Sequence, residues 1–583
     1  MRSFSESIEK LKEKISGVTK SAFISAFVCG LLTHMVVMVG DFPNHDGLGS
    51  LYFNQNMIES GRWFLTVPCG ISSYFSLPWL IGLLSLLYIA ISAGLVCAIL
   101  KIKSSVSAAV IGALMATFPA LASTFAYVFT MDGYMFGLML GILAVYITGK
   151  YKKGWIAGAV LLAFSIGSYQ AYLPVVIILC MYAVALIICE KETAYAVTAK
   201  GKILAILRYL YMGICGGVLY FVVLKVLLKI EGVTIGSYQG GSALAGAGGA
   251  ASTEAAVAGG ADAITTAGAE AASAGLIGKI ASAYKDFAAF TVKSDILAPN
   301  VFAWTAVGVL ACVAAVLLIR EIVSKKWYKS AVLYIAVIVI AVVLPLATNI
   351  VMIVLGNVTY HAIMRYQWVM IPVCIVAIID NITCSKDITP VQNKEGGSKD
   401  AAVSKGEAVS KGASAYKALT WLVPICGAVL VFCYIVTDNI GYSNLQKKYE
   451  RTYAYCERLL DRIEQTDGYY KGIPIAMIGV VSEDQYPKAD LTEGITDNML
   501  GLSGDYLCYK AEDYRLFMKA YLGADLNFIV GDEMADIYNS KEYVEMDSFP
   551  GKDSVKMVGD KIYVKTENID YGLREKYSIS KED

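Results

Sequence analysis

The sequence predicts a polytopic α-helical membrane protein that ends in a small α/β domain. Three observations carry that prediction. Mean hydropathy is +0.56. Of 583 residues, 56% are hydrophobic and 17% charged, too little charge for a soluble chain of this length. Apolar runs near the roughly 20 residues that a bilayer core requires recur up to residue 437, and the pattern changes after it. The net charge of zero gives no general pull towards nucleic acid, so no nucleic-acid partner is expected.

In order, residues 1–20 form a charged amphipathic N-terminus without an evident cleavable signal peptide. About eleven spans follow, at 21–39, 77–100, 106–123, 133–149, 154–168, 172–189, 203–229, 300–319, 331–356, 367–383 and 418–437. Pro345 and Asn349 predict a break in the ninth. The segment Gly167-Ser-Tyr-Gln-Ala-Tyr172 predicts a tight break between the fifth and sixth. Lys and Arg cluster before the first span and after the second, fourth, sixth and eighth, and again at 386–417. The positive-inside rule therefore puts the N-terminus in the cytoplasm and residues 438–583 outside the cell membrane.

The loops divide by composition. The first external loop, 40–76, looks structured, and Ile58-Glu-Ser-Gly-Arg-Trp-Phe64 predicts a helix lying on the membrane surface. Residues 240–275 are low-complexity, rich in Ala, Gly, Ser and Thr. Leu276 to Val292 predicts an amphipathic helix. The cytoplasmic segment 384–417 repeats Ala-Val-Ser-Lys-Gly and reads as a solvated linker. In 438–583, helical spacing runs from Leu445 to Ile463. Strands are expected at Ile473–Val481 and Leu526–Val530, a helix at Ala511–Leu522 and a hairpin around Gly559-Asp560. Of thirteen cysteines, Cys69, Cys456 and Cys508 lie outside in this topology, where a Cys456–Cys508 disulfide is an option. No CxxC or HExxH motif supports zinc or thiol-redox chemistry.

Three acids gather at the outer boundary. Asp41 and Asp46 follow the first span in Asp41-Phe-Pro-Asn-His-Asp46, and Asp132 opens the fourth. Charge near hydrocarbon is costly, about 2.5–3.5 kcal/mol at mid-bilayer and less at the interface. Such acids can take protons, bind cations or position a sugar hydroxyl; equally, they can sit in headgroup water or cap helices. Pro43, Asn44 and Gly47 predict a defined turn between the pair. Arg365, with His361 four residues earlier, can clamp a phosphate through forked hydrogen bonds, and Arg62 is a second candidate. The bland alternative for both is an interfacial anchor. Trp63, Tyr169, Gln170 and Tyr172 suit sugar recognition or an ordinary aromatic belt. His34, inside the first span, reads as a packing residue.

The ordered set of an acidic pair after the first span, Gly-Arg-Trp, Asp132, Ser168-Tyr-Gln-Ala-Tyr172, and the tail Asn444-Leu-Gln-Lys-Lys-Tyr-Glu-Arg-Thr-Tyr453 to Pro474-Ile-Ala-Met-Ile-Gly479 resembles the bacterial type II serotype-converting glucosyltransferases. The resemblance implies a C-type glycosyltransferase fold. It also implies transfer of a sugar, glucose in that family, from a polyprenyl-phosphate carrier to a cell-surface polysaccharide at the outer face of the membrane. It implies Asp41 or Asp46 as base and Asp132 as a second acid; Arg365 as phosphate ligand rests on charge and position. Implied partners are the lipid-linked donor, a surface glycan acceptor, the bilayer, a donor synthase and a donor flippase. No cofactor is required, although two acids leave room for a divalent cation, Mg or Mn. The rival readings are a flippase or transporter for lipid-linked sugars and a polysaccharide polymerase. A transporter would need more charge at span centres than this chain carries.

Overall fold

A computed structural model describes residues 15–44, 46–50, 53–70, 74–75, 77–189, 198–235, 276–355, 360–384, 399–477, 479–480, 499–502, 507–508, 511–529, 533–538, 540–566 and 568–569. The low-complexity stretch 240–275 and residues 1–14 of the N-terminus lie outside them.

The first helix, α1 (Gly17–Val39), starts at Ser16, whose hydroxyl accepts the Thr19 N–H. It packs against α2 (Pro78–Ile99) and α3 (Ser105–Thr117). Small residues set these distances. A Cβ on Gly112 would stand 2.2 Å from the Ala22 carbonyl oxygen, so the α1 and α3 backbones touch where no side chain fits. The third expected span does not run straight. Pro119 lacks an N–H and forces Phe118 into an extended conformation, so α3 ends and α4 (Pro119–Phe125) leaves at 47°.

Next come α5 (Met131–Lys150), α6 (Gly154–Ser168), α7 (Leu173–Cys189) and α8 (Ala199–Glu231). The expected break is present: Tyr169 is extended and Gln170–Tyr172 is a single 3-10 turn. The predicted amphipathic helix is α9 (Leu276–Lys293), followed by α10 (Val301–Ser324) and α11 (Ala331–Thr348). The ninth span breaks at Asn349, before α12 (Ile350–Leu355), as Pro345 suggested. Then comes α13 (Met370–Thr383). Nine helices among the described residues are long and apolar enough to cross a membrane, or ten if the bent α3–α4 pair forms one span. The other segment read as a span, α6, is a shorter apolar helix.

Two expectations need correction. The surface helix over 58–64 is only a three-residue 3-10 turn, Ile58–Ser60, because Gly61 takes a left-handed conformation and ends it. Beyond it Trp63 and Leu65 turn into the bundle and become buried. The segment read as a linker to residue 417 already joins α14 (Lys399–Glu464) at Lys399. No proline lies between Pro424 and Glu464, so the last span and the helix expected from Leu445 fuse into one rod.

Beyond that rod lies a four-stranded sheet in the order β3-β1-β5-β4, built from β1 (Pro474–Met477), β3 (Asn527–Phe528), β4 (Val555–Val558) and β5 (Lys561–Val564). β2 (Gly479–Val480) and β6 (Asn568–Ile569) make a separate pair. β1 runs parallel to both neighbours, and Gly559, at φ +63°, closes the antiparallel β4–β5 hairpin. The predicted helix is α15 (Ala511–Phe517), extended by a π-helical turn to Leu522. Tyr455, Cys456, Leu459 and Ile463 of α14 pack with Ile475, Phe517, Ile562 and Val564 into its core. Cys456 and Cys508 are free, buried thiols, so the optional disulfide is absent. Burial raises the Cys508 thiol well above its ordinary value, which keeps it protonated.

Candidate functional site

α1 stops at Gly40, and Asp41 is the next residue. Pro43 and Asn44 are buried, and the Asn44 side chain accepts the Gly47 N–H at 2.7 Å. That Asx-type turn leads into the helical turn Gly47–Ser50 and holds Asp41 and Asp46 at its two ends, both exposed. The acids face different neighbours. Asp46 stands close enough to Tyr134 of α5 for its charge to act on the phenol. Asp41 stands in the same relation to Tyr449 of α14.

Tyr134 also anchors Arg62, whose Nη1 donates to its hydroxyl at 3.0 Å. The guanidinium lies 5.0 Å from the centroid of the Tyr169 ring, which itself stacks on Tyr134 at 4.5 Å. Ring faces carry negative charge, so this cage favours a cation. Gly61 sets the position of Arg62. At φ +75°, a Cβ there would meet the Tyr220 hydroxyl at 2.6 Å and the Gln170 amide at 2.7 Å. Those two groups bind each other, and the Gln170 amide donates to the Ser60 carbonyl while the Tyr220 hydroxyl donates to that of Gly61. Trp63 packs against Gly167, Phe164 and Tyr220. Tyr172 is buried deeper, edge-on to Tyr169. Tyr169 and Gln170 thus hold the turn that carries Arg62, and Trp63 and Tyr172 are buried among the neighbouring rings.

Asp132 lies in the first turn of α5, where the helix dipole favours a carboxylate. It is only 3% exposed, and its Oδ1 accepts the Gly133 N–H at 2.8 Å. Its charge reaches Tyr88 of α2. Gly133 lets Cys69 approach, so the end of the re-entering loop lies against this turn.

Arg365 belongs to a different cluster. Its two terminal nitrogens form a fork to Asp286 of α9 at 2.9 and 2.8 Å, and its Nε donates to the Tyr360 carbonyl at 3.1 Å. Arg365 is 3% exposed and Asp286 9%. The fork expected to take a phosphate therefore holds a carboxylate of the chain itself. His361 begins the 3-10 turn Ala362–Met364 just before it.

Sequence patterns alone did not single out Asp286 or Tyr134. Asp286 had a signal: it falls between Ala283 and Phe287, on the face of the amphipathic helix that α9 buries. Tyr134, two residues after Asp132, had none. His34 is a packing residue as expected. Its ring nitrogens lie 2.5 Å from the Tyr442 hydroxyl and 2.9 Å from the Ala116 carbonyl. Among the described residues, no group of three His, Cys, Asp or Glu is placed to hold a metal ion, and no catalytic step is assigned to one.

Residues 35–378 match the family model described as Glucosyl transferase GtrII. No curated protein and no solved structure matches the chain.

Proposed function

The chain belongs to the GtrII glucosyl transferase family, whose model spans more than half of it, and from that premise we propose that it transfers glucose from a polyprenyl-phosphate carrier to a surface glycan on the outer face of the membrane. It is a membrane glycosyltransferase. One observation carries the assignment of residues: Arg62 donates to the Tyr134 hydroxyl, and Asp46, from another part of the same loop, is near enough for its charge to act on that phenol.

In this reading Asp46 is the base. It takes the proton of the acceptor hydroxyl as that oxygen bonds to the anomeric carbon. The bond from that carbon to the phosphate oxygen breaks, and the electron pair leaves with the polyprenyl phosphate. Arg62 stabilises the charge on the departing phosphate. Its tyrosine cage keeps the guanidinium in place before the donor arrives. Asp132, held by its helix turn, orients acceptor hydroxyls. Asp41, beside Tyr449, borders the acceptor side. Of the two acids, this assignment takes Asp46 rather than Asp41 as the base, because its charge acts on Tyr134, the phenol that anchors Arg62. Arg365 has no part in it.

The test uses purified protein in lipid nanodiscs. It should transfer glucose from polyprenyl-phosphate glucose and ignore UDP-glucose. Asp46→Asn keeps size but loses basicity, so turnover should fall about 10²- to 10⁴-fold with donor binding little changed. Transfer from UDP-glucose alone, or full turnover in Asp46→Asn, would sink the reading.

A further inference from the structure

At the opposite end of the bundle, α2 and α5 finish beside a cavity of about 290 Å³. α5 runs 20 residues from the turn of Asp132 to Lys150, so roughly 30 Å separates this cavity from the acids. Its lining combines apolar residues, among them Ile99, Val145, Leu186 and Ile187, with three cations, Lys101, Lys150 and Arg208.

The three cations are held in different ways. Arg208, on α8, is only 7% exposed, and low-dielectric surroundings magnify its pull on an anion. Lys150 donates to the Tyr146 hydroxyl at 2.7 Å, which fixes its ammonium at the rim. Lys101 follows the C-cap of α2 with a left-handed backbone, φ +54°, the turn that ends the helix and places this lysine at its end. Gly149 lets the Tyr209 hydroxyl close in: a Cβ there would lie 2.6 Å from it.

We propose that this cleft binds a phosphate group, and that the phosphate is the headgroup of an anionic membrane lipid. A cavity near the lower limit of ligand sites admits a headgroup and not a whole lipid. The same stretch of α8 turns Ile203, Leu204 and Tyr211 outward, onto the surface that meets acyl chains. Basic clefts between membrane helices suit phospholipid headgroups on general electrostatic grounds. The site is separate from sugar transfer and stands whether or not the assignment of Asp46 and Arg62 does.

Native mass spectrometry tests it on the full chain, released from nanodiscs of phosphatidylcholine and phosphatidylglycerol. The chain should keep phosphatidylglycerol in preference to phosphatidylcholine. Lys101→Gln and Lys150→Gln, both at exposed positions, should each weaken retention about fivefold. Arg208→Gln should act in the same direction, while Lys329→Gln, away from the cleft, should not. Failure of millimolar inorganic phosphate to displace the lipid identifies lipid as the source. Displacement, with the same dependence on Lys101 and Lys150, keeps the phosphate site and makes free phosphate its source. Equal retention of both lipids, or retention unchanged in both lysine variants, overturns the proposal.

Discussion

Arg365 looks like a phosphate ligand in the sequence, and in the fold its guanidinium forks to Asp286 of the chain itself. A cation near a membrane boundary with a histidine four positions earlier suits a phosphate. Its partner lies 79 positions away, and no local pattern links the two. What the sequence did carry was an acid on the buried face of an amphipathic helix, a position that calls for a cation. The pair also lies between rings, with the guanidinium 4.2 Å from the Phe290 centroid and 4.3 Å from that of Tyr360. Removing one partner of a buried pair leaves an uncompensated charge, at a cost of about 3–5 kcal/mol. Arg365→Ala should therefore lower thermal stability in detergent sharply. The double variant Arg365→Met with Asp286→Leu, which removes both charges, should recover most of it. A donor-phosphate clamp predicts the reverse: normal stability, weak donor binding and no rescue. Thermal unfolding and donor affinity on the same three proteins separate the two roles.

At the scale of elements, the spans were legible and their interruptions only partly so. Length and hydropathy sufficed for long helices such as α1, α2 and α10. Pro345 with Asn349 marked the break after α11. Pro119 carried the same signal within a run apolar on both sides, and the break was hidden by that continuity. The segment 58–64 was misread for a different reason. Its mix of apolar and polar residues fits a surface helix, but Trp63 and Leu65 find deeper burial inside the bundle, and Gly61 supplies the turn that takes them there. Gly61 is thus the element's critical residue. An alanine at its positive φ is strained, at about 1 kcal/mol or more, and its methyl would displace the Tyr220 hydroxyl and the Gln170 amide. The hydrogen bonds that those two groups make would be disturbed, and Arg62, the next residue, would shift with them. Small misplacements of a reacting group can cost as much as about 10²-fold in rate. Gly61→Ala should remain folded yet lose roughly ten- to a hundredfold in turnover. Gly213→Ala, in α8 with open space around it, should leave turnover intact. Equal rates in the two variants would mean that this turn does not position the site.

Over the whole molecule, the acid loop is clasped by both cores. The order of short motifs along the chain was enough to indicate the family, yet nothing in that order pairs residue 48 with the domain that follows residue 464. In the structure, Leu48 of the turn Gly47–Ser50 packs against the C-terminal core, where α15 meets that turn. Phe42 lies 5.5 Å from Tyr449, ring to ring. In return, Met499 and Leu502 reach into the membrane core, and a Cβ on Gly501 would stand 3.3 Å from the Asn44 amide. The loop and the C-terminal domain therefore share one face of the bundle, while the lysines that follow α2 and α5 lie at the other. Docked in this way, the domain fixes the turn that carries Asp41 and Asp46. Leu48→Asp would drive a carboxylate into an apolar contact, which the domain can relieve only by moving away. Turnover should then fall tenfold or more, and protease should cut between the membrane region and residues 438–583 faster than in the parent protein. Leu48→Met conserves volume and should stay close to the parent in both measurements. If Leu48→Asp turns over normally, or if residues 438–583 can be cut away from the folded protein without loss of transfer, the domain has no hold on the acids.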